Sequence, residues 1–152
     1  MKKILLPLML ALATALAVAA DRPYDESADA KAQIATALHE AAAAKEPVLL
    51  IFGANWCPDC RALDLALKTG RNAELMRKFK VVKVDVGRFD HNVDVSTLYG
   101  NATKKGIPSA VIVSPDNKIL FMTRAGELAD ARTMSDEGIY DFFTKAAASA
   151  KQ

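Results

Sequence analysis

The residues with the clearest capacity for chemistry are Cys57 and Cys60, which are separated by Pro58 and Asp59. Two cysteines at positions i and i+3 at the start of a helix can close a disulfide ring with little movement of the backbone. The unpaired N–H groups and the positive end of the helix dipole stabilise a thiolate on the first cysteine. The second is then placed to attack a mixed disulfide and release the product. The spacing indicates a dithiol that cycles between reduced and oxidised forms.

Three neighbouring residues bear on how such a dithiol reacts. Pro58 suits the first turn of a helix, because its missing N–H costs nothing there and its fixed φ stiffens the ring. Trp56 can form one wall of a substrate groove, although partial burial alone would also explain it. The carboxylate of Asp59 disfavours a thiolate on Cys57 and should make the disulfide less oxidising.

The N-terminal residues have the layout of a secretory signal peptide. Lys2 and Lys3 form a short basic start, and residues 4–19 are almost wholly apolar. A signal peptide is cut after small residues, and cleavage after Ala19 or after Ala20 satisfies this rule. We therefore expect the mature protein to begin near one of these two positions.

A membrane anchor that is kept is the alternative to a signal peptide at residues 1–20. The apolar run is a little short for a span of about 20 residues, and it contains Pro7. We expect the mature protein to be soluble in an oxidising, exported compartment, for which a bacterial periplasm fits best.

The composition is that of one folded domain at residues 21–152. Of the 152 residues, 51% are hydrophobic and 25% are charged, as in folded soluble proteins. The net charge is +2, and without the two N-terminal lysines the basic and acidic residues number 18 each. This balance offers no electrostatic basis for binding nucleic acid or anionic lipid. We expect a monomer with no bound cofactor and no metal.

Hydrophobic periodicity predicts alternating helices and strands. A helix capped by Ser27 or Asp29 should run to about Ala44. The continuous apolar run 48–52 suits a strand buried on both faces, and a helix should follow the cysteines as far as Gly70. Further along we expect a short helix capped by Asn72, a strand over 81–86, a helix over 93–103, a hairpin of strands 110–113 and 118–122, and a last helix capped by Ser135.

The segment around the cysteines resembles the active site of the thioredoxin superfamily. Residues 52–60, F-G-A-N-W-C-P-D-C, are similar to that family's F-x-A-x-W-C-x-x-C. Residues 105–112, K-G-I-P-S-A-V-I, resemble its G-I-P-T segment, and K-V-D-V at 83–86 resembles its central strand. The long stretch 87–104 is more like the exported thioredoxin-like reductases than like minimal thioredoxin.

This resemblance implies an α/β thioredoxin fold with a central mixed β-sheet flanked by helices. It also implies that the bond between Ile107 and Pro108 is cis and faces the cysteines, which leaves the backbone of Ile107 free to pair with a substrate strand. Helix geometry assigns the two thiols. Cys57 at the helix entrance should face solvent and act as the nucleophile, and Cys60 should face inward and resolve the mixed disulfide.

Two positions depart from the family pattern. Thioredoxin carries a buried Asp on the strand before the cysteines, where it accepts a proton from the second cysteine, and here that position is Ile51. The Trp of the family's F-W-A is Gly53. These departures favour narrower substrates or slower resolution. Lys83, which matches the family's strand lysine, is a candidate for part of the proton transfer, as are Asp59 and water.

The cysteine pair has three other interpretations. It could be a purely structural disulfide, against which Trp56 and the Ile-Pro segment argue. It could bind a metal with His39 and His91, but these lie far apart in polar stretches. It could handle copper with a methionine, yet Met76 and Met122 occupy core positions and Met134 a loop position.

Several features favour the reducing direction of electron flow. No cation between the cysteines stabilises a thiolate, as a strong oxidase requires. Ile107 matches the reducing thioredoxins, and the chain has no room for the helical insertion of the oxidases or the dimerisation domain of isomerases. We predict a periplasmic thiol–disulfide oxidoreductase that reduces protein disulfides and is recharged by a membrane thiol–disulfide donor. The alternatives are an oxidase of the same fold and a non-catalytic binding module such as a metallochaperone.

Overall fold

Helices and strands alternate along residues 22–150, the part of the chain that the computed structural model describes. In chain order they are α1 (Ala30–Ala44), β1 (Val48–Gly53), α2 (Pro58–Leu67), α3 (Gly70–Met76), β2 (Lys80–Asp85), α4 (Val93–Leu98), β3 (Ser109–Val113), β4 (Ile119–Met122), the 3₁₀ helix η1 (Ala131–Thr133) and α5 (Asp136–Ser149). The expected signal peptide at residues 1–20 lies outside the described residues. The sequence did not predict η1.

The strands form one mixed sheet in the order β2-β1-β3-β4. The central strand β1 runs parallel to β2, with Ile51 opposite Lys83 and Gly53 opposite Asp85. On its other side β1 is antiparallel to β3, which is antiparallel to β4. Every residue of β1 is buried, as its continuous apolar sequence predicts. The α/β class with a mixed sheet between helices is confirmed.

An apolar core covers each face of the sheet. One core joins α1 and α4 to alternate residues of β1, namely Val48, Leu50 and Phe52. The other joins α2, α3 and α5 to Leu49 and Ile51. Successive side chains of a strand point to opposite faces, so both cores hold the same strand. The end of β1, which leads directly into the cysteines, is therefore fixed from both sides.

Side-chain caps place the starts of the two long helices. Asp29, and not Ser27, caps α1, because its carboxylate accepts the N–H of Ala32 at 3.0 Å. Ser135 caps α5, where its hydroxyl oxygen accepts the N–H of Gly138 at 3.1 Å. Both caps use short polar side chains that satisfy a backbone donor left free in the first turn.

The expected cap at Asn72 is wrong. Thr69 occupies the N-cap position of α3, and Asn72 lies inside the helix. Its amide is buried and donates to the backbone oxygen of Asp136 at 3.1 Å, at the start of α5. A tertiary contact between α3 and α5 therefore uses the side chain that local sequence suggested for capping.

The helix expected over 93–103 is also wrong in length, since α4 ends at Leu98. Gly100 and Asn101 follow with φ of 80° and 59°, in the left-handed region. Residues in that region cannot continue a right-handed helix. The chain from there to Gly106 is irregular and leads into β3.

Gly53, where the resembling family has tryptophan, is explained by Tyr24. A Cβ atom at residue 53 would overlap the buried phenol ring of Tyr24. The side chain of Asn55 fixes this segment, because it accepts the N–H of Tyr24 at 3.0 Å and donates to its carbonyl oxygen at 2.8 Å. Tyr24, in the segment before α1, therefore occupies the space at the end of β1 that a side chain at residue 53 would need.

Gly53→Ala is expected to lower the free energy of unfolding by about 1–3 kcal/mol, because the added methyl group must displace a buried ring. In a Tyr24→Ala background the same change should cost less, with a coupling of about 1 kcal/mol or more. Urea denaturation of the four proteins of this double-mutant cycle measures both quantities. Strictly additive effects would contradict the overlap.

Candidate active site

Cys57 and Cys60 form a disulfide at the N-terminus of α2, with Cα atoms 5.2 Å apart. Cys57 is the N-cap residue, and Pro58 follows in the first turn. The backbone N–H of Cys60 donates to Cys57 Sγ at 3.2 Å. A thiolate on Cys57 would therefore have one N–H donor and the positive end of the helix dipole to stabilise it.

The disulfide is largely covered by the protein. Cys57 is 4% exposed and Cys60 is 0% exposed. The expectation that Cys57 faces solvent is therefore wrong for this disulfide form, although Cys57 remains the more accessible of the two. The carbonyl oxygen of Ile107 lies 3.7 Å from Cys57 Sγ.

The segment before β3 lies against the disulfide. The peptide bond between Ile107 and Pro108 is cis, and both residues are buried. The structure therefore brings Ile107 against the cysteine pair, although it lies fifty positions after Cys57 in the sequence. Ser109 follows as the first residue of β3 and pairs with the end of β1.

Trp56 and Phe89 form an exposed aromatic edge next to the disulfide. They are 45% and 47% exposed, and their ring centroids lie 6.3 Å apart in an edge-to-face arrangement. The indole N–H of Trp56 donates to the carbonyl oxygen of Gly87 at 2.7 Å, and the Arg88 guanidinium lies 5.7 Å from the ring centroid. The sequence analysis missed Phe89. Its position just after β2 could have indicated it, because the carboxyl ends of parallel strands meet at one edge.

Asp59 is held by the 3₁₀ helix. Its carboxylate is buried and accepts the backbone N–H of Arg132 at 3.0 Å. The Arg132 Nε atom lies 3.7 Å from the same oxygen. The charge that the sequence places beside Cys57 is thus opposed by a guanidinium from η1. Arg132 was missed, since no local pattern links residues so far apart in the chain.

Lys83, the candidate for proton transfer, is paired with a buried acid on α2. Its ammonium group contacts Asp64 Oδ1, and the Lys68 ammonium lies 2.6 Å from Asp64 Oδ2. The Asp64 side chain is 2% exposed. The sequence analysis missed Asp64. The signal was a charged residue next to the inward-facing Leu63, four positions after Cys60.

Two further titratable side chains, those of Tyr24 and Asp85, are buried. Burial raises the pKa of the Tyr24 phenol, and the negative charges of Asp64 and Asp85 raise it further, so the phenol is neutral at physiological pH. Asp85, at the end of β2, accepts the N–H of Gly87 at 3.0 Å. Its second contact is with the His91 ring, whose Nδ1 atom lies 3.4 Å from the same oxygen.

Neither histidine forms a metal site with the cysteines within the described residues. Over residues 22–150, no group of three or more His, Cys, Asp or Glu side chains is arranged to hold a metal ion. His39 is exposed on α1, and His91 contacts Asp85. In the same part of the chain, no helix has both the length and the apolar character needed to cross a membrane.

Comparisons with known proteins agree with this geometry. A family model described as thioredoxin-like matches residues 29–115. A crystal structure described as a disulphide isomerase from Xylella fastidiosa Temecula1 is 51% identical, with a TM-score of 0.82, and the match covers 85% of this chain and 99% of that one. Among curated proteins none matches.

Two more distant structures share the fold. One is the C-terminal domain of Neisseria meningitidis DsbD in its oxidised form, with 20% identity and a TM-score of 0.56 over 78% of this chain and 97% of that one. The other is described as DsbH oxidoreductase, with 18% identity and a TM-score of 0.52 over 77% of this chain and 81% of that one. At these identities the likeness supports the fold alone.

In the fully reduced protein, a small alkylating agent should modify Cys57 before Cys60, because only Cys57 reaches the surface and caps the helix. Brief treatment with iodoacetamide followed by peptide mass spectrometry measures the order. The single variants Cys57→Ser and Cys60→Ser give the rate of each thiol alone. Faster modification of Cys60 would overturn the assignment of the nucleophile.

Asp59→Asn is expected to stabilise a thiolate on Cys57, because it removes a negative charge while its amide oxygen can still accept the Arg132 N–H. The disulfide should become more oxidising by tens of millivolts, where about 30 mV corresponds to about 1.4 kcal/mol. Equilibration in glutathione buffers measures the potential. Asp130→Asn, at the exposed residue just before η1, should leave the potential unchanged. Equal potentials in the wild type and Asp59→Asn would rule out tuning by this carboxylate.

Proposed function

The chain belongs to the thioredoxin-like family, and from that premise we propose that it is an exported enzyme that reduces disulfides in proteins. The observation that carries the proposal is the disulfide at the N-terminus of α2, with the Cys60 N–H directed at Cys57 Sγ. This arrangement favours a thiolate at Cys57 and a second thiol within reach of it.

The reaction runs in two exchange steps. The Cys57 thiolate attacks one sulfur of the substrate disulfide, and the other substrate sulfur leaves as a thiolate that takes up a proton. Cys60 then loses its proton and attacks Cys57 Sγ, which breaks the mixed disulfide and releases the second substrate thiol. The two electrons gained by the substrate come from the dithiol, which becomes the disulfide between Cys57 and Cys60.

Two surfaces beside Cys57 support binding of a polypeptide substrate. The carbonyl oxygen of Ile107 lies against the sulfur, and we assign the backbone of Ile107 the role of pairing with an extended segment of the substrate. On the other side, the exposed rings of Trp56 and Phe89 offer apolar contact to side chains near the substrate cysteine. Substrates are therefore proteins that carry an accessible disulfide.

The charges around the disulfide support the reducing direction. A strong oxidase stabilises its thiolate heavily, usually with a cation between the cysteines, and here Pro58 and Asp59 occupy those positions. Each turnover leaves the enzyme oxidised, so it needs an electron donor. We assign that role to a membrane thiol–disulfide protein. The pattern of residues 1–20 supports export to the periplasm, where the enzyme would act as a monomer.

Disulfide isomerisation is a second candidate function. It is favoured by the protein at 51% identity, which is described as a disulphide isomerase. An isomerase uses the Cys57 thiolate to open a wrong disulfide and is released when the substrate forms another, with no net transfer of electrons. The same site geometry serves both reactions, and the redox potential separates them.

We expect the potential of the Cys57–Cys60 pair to lie nearer to thioredoxin, at about −270 mV, than to protein disulfide isomerase at about −180 mV or a strong oxidase at about −120 mV. Equilibration of the mature protein in glutathione buffers measures it. A value near that of the isomerase would favour the second candidate, and a value near that of the oxidase would reverse the direction of electron flow.

Trapping of a mixed disulfide with the substrate tests the catalytic roles of Cys57 and Cys60. Cys60→Ser should hold its partner in a mixed disulfide with Cys57, because the resolving thiol is missing. Cys57→Ser is the matched control and should trap none. If Cys57→Ser binds the same partner with wild-type affinity and neither variant forms a mixed disulfide, the protein is a binding module and not an enzyme.

A further inference from the structure

We propose that Phe89 is a specificity-determining residue, and that its ring and that of Trp56 together bind a bulky apolar side chain next to the substrate cysteine. The inference rests on the proposed function, because it names the class of protein disulfide that this site selects. It is carried by the backbone conformation of Phe89, the hydrogen bonds that hold it, the exposure of the two rings and their position beside Cys57.

Phe89 has a backbone conformation that phenylalanine rarely adopts. Its φ is 64°, in the left-handed region, where a side chain crowds the backbone. Glycine and asparagine tolerate this region best. Within residues 22–150, the other non-glycine residues with positive φ are Lys45, Asn92, Asn101 and Asn117. A large apolar ring therefore stands at residue 89, where the backbone favours a small or polar residue.

Hydrogen bonds of the turn after β2 hold Phe89 in this conformation. Its own N–H donates to the carbonyl oxygen of Val86 at 2.8 Å. The N–H of the preceding Arg88 donates to Asp90 Oδ1, also at 2.8 Å. The turn is joined to the end of β2, because the Asp85 carboxylate is buried and accepts a backbone N–H of the turn at 3.0 Å. The turn therefore fixes the direction of the ring, and strained conformations held in this way cluster at functional sites.

The fold buries little of this ring. Phe89 belongs to neither of the apolar cores formed within residues 22–150, and it is 47% exposed. Its ring lies edge to face with that of Trp56, which is itself 45% exposed. Apolar surface removed from water stabilises a complex in proportion to its area. An apolar side chain that covers the two rings would therefore be bound favourably.

The two rings lie beside the sulfur to which a substrate becomes attached. Trp56 directly precedes Cys57 in the chain, and its indole N–H donates to the Gly87 carbonyl oxygen at 2.7 Å. This bond ties the turn to the residue next to the reactive cysteine. In a mixed disulfide, consecutive Cα atoms of the substrate are only about 3.8 Å apart. A side chain one or two positions from the substrate cysteine is therefore within reach of Trp56 and Phe89.

The charge of Arg88 favours an apolar over a cationic side chain at this place. Exposed aromatic rings also attract cations. Here the Arg88 guanidinium already lies 5.7 Å from the centroid of the Trp56 ring. A lysine or arginine of the substrate would meet this like charge, which disfavours its binding. The site therefore selects an uncharged, apolar side chain such as that of leucine or phenylalanine.

Two disulfide-linked peptides that differ only beside their cysteine test this preference. One carries leucine before and after the cysteine, and the other carries serine. Reduced protein is mixed with each peptide, and the release of peptide thiol is followed in a single turnover. The two electrons come from the dithiol of Cys57 and Cys60, which becomes a disulfide as two peptide thiols are released. We expect a second-order rate constant about 10-fold larger with leucine, because more apolar surface is buried.

Phe89→Asn removes the ring, while asparagine tolerates the left-handed conformation. The preference for leucine should fall to about twofold or less, and the melting temperature should not fall, because strain is relieved. Phe89→Tyr keeps a ring and should keep the preference. Leu98→Asn is the matched control, since it removes an apolar side chain that is 69% exposed on α4 and should leave the preference unchanged.

Three outcomes would overturn the proposal. The wild type could react equally fast with both peptides, which needs no variant to be observed. The preference for leucine could survive in Phe89→Asn. The melting temperature of Phe89→Asn could fall below that of the wild type, which would show that the ring serves stability instead.

The failure of this proposal and that of the proposed function are distinguishable. Trp56 is the only tryptophan of the chain, so its fluorescence reports contact at this site. In Cys60→Ser, a mixed disulfide of Cys57 with the leucine peptide should shift the emission to shorter wavelength, and one with the serine peptide should not. If the wild type reduces neither peptide but Phe89→Asn abolishes this shift, the function is wrong and the role of Phe89 stands. If the wild type reduces both peptides at equal rates and no shift occurs, the role of Phe89 is wrong and the function stands.

Discussion

The N-terminus of α2 must be held in one place for the two sulfurs to react in order, and contacts from three separate segments hold it there. The Ile107 carbonyl oxygen lies 3.7 Å from Cys57 Sγ, and the Arg132 N–H reaches Asp59 at 3.0 Å. The indole of Trp56 is bonded to the loop after β2. Because β1 is anchored by both cores, the short link from β1 to α2 has little freedom. The first turn of the helix is thereby preorganised, with the Cys60 N–H already directed at Cys57 Sγ.

The end of β1 shows how two unusual residues are accommodated by elements outside the strand. Gly53 leaves a space that the ring of Tyr24 fills from the segment before α1. The strand has the apolar Ile51 where thioredoxin has an acid. The carboxylate that pairs with Lys83 comes instead from Asp64 on α2. In both cases a side chain absent from β1 is matched by one that arrives from another element. Lys83 therefore has a carboxylate partner even though the strand itself is wholly apolar.

The sequence predicted the features that depend on neighbours along the chain. The spacing of Cys57 and Cys60, the apolar run of β1 and the cap at Ser135 each follow from local chemistry, and each is found in the structure. It did not predict Asp64 or Arg132, because a charged residue in a helix or turn has the same local signal whether it is buried or solvated. The prediction that Asn72 caps α3 was wrong for a related reason, since its amide donates to the backbone oxygen of Asp136 at the start of α5. Prediction failed where long-range contacts decide what a polar side chain does.

The two cysteine sulfurs have different surroundings in the fold. Cys57 is stabilised by the backbone of α2 and lies near Asp59, whose charge is opposed from η1. Cys60 is fully buried, and one turn further along the same helix Asp64 pairs with Lys83 and Lys68. The first set of contacts acts on the stability of the attacking thiolate, whereas burial keeps the resolving thiol out of contact with solvent. A substitution on the η1 side would therefore change the redox potential through the attacking thiolate.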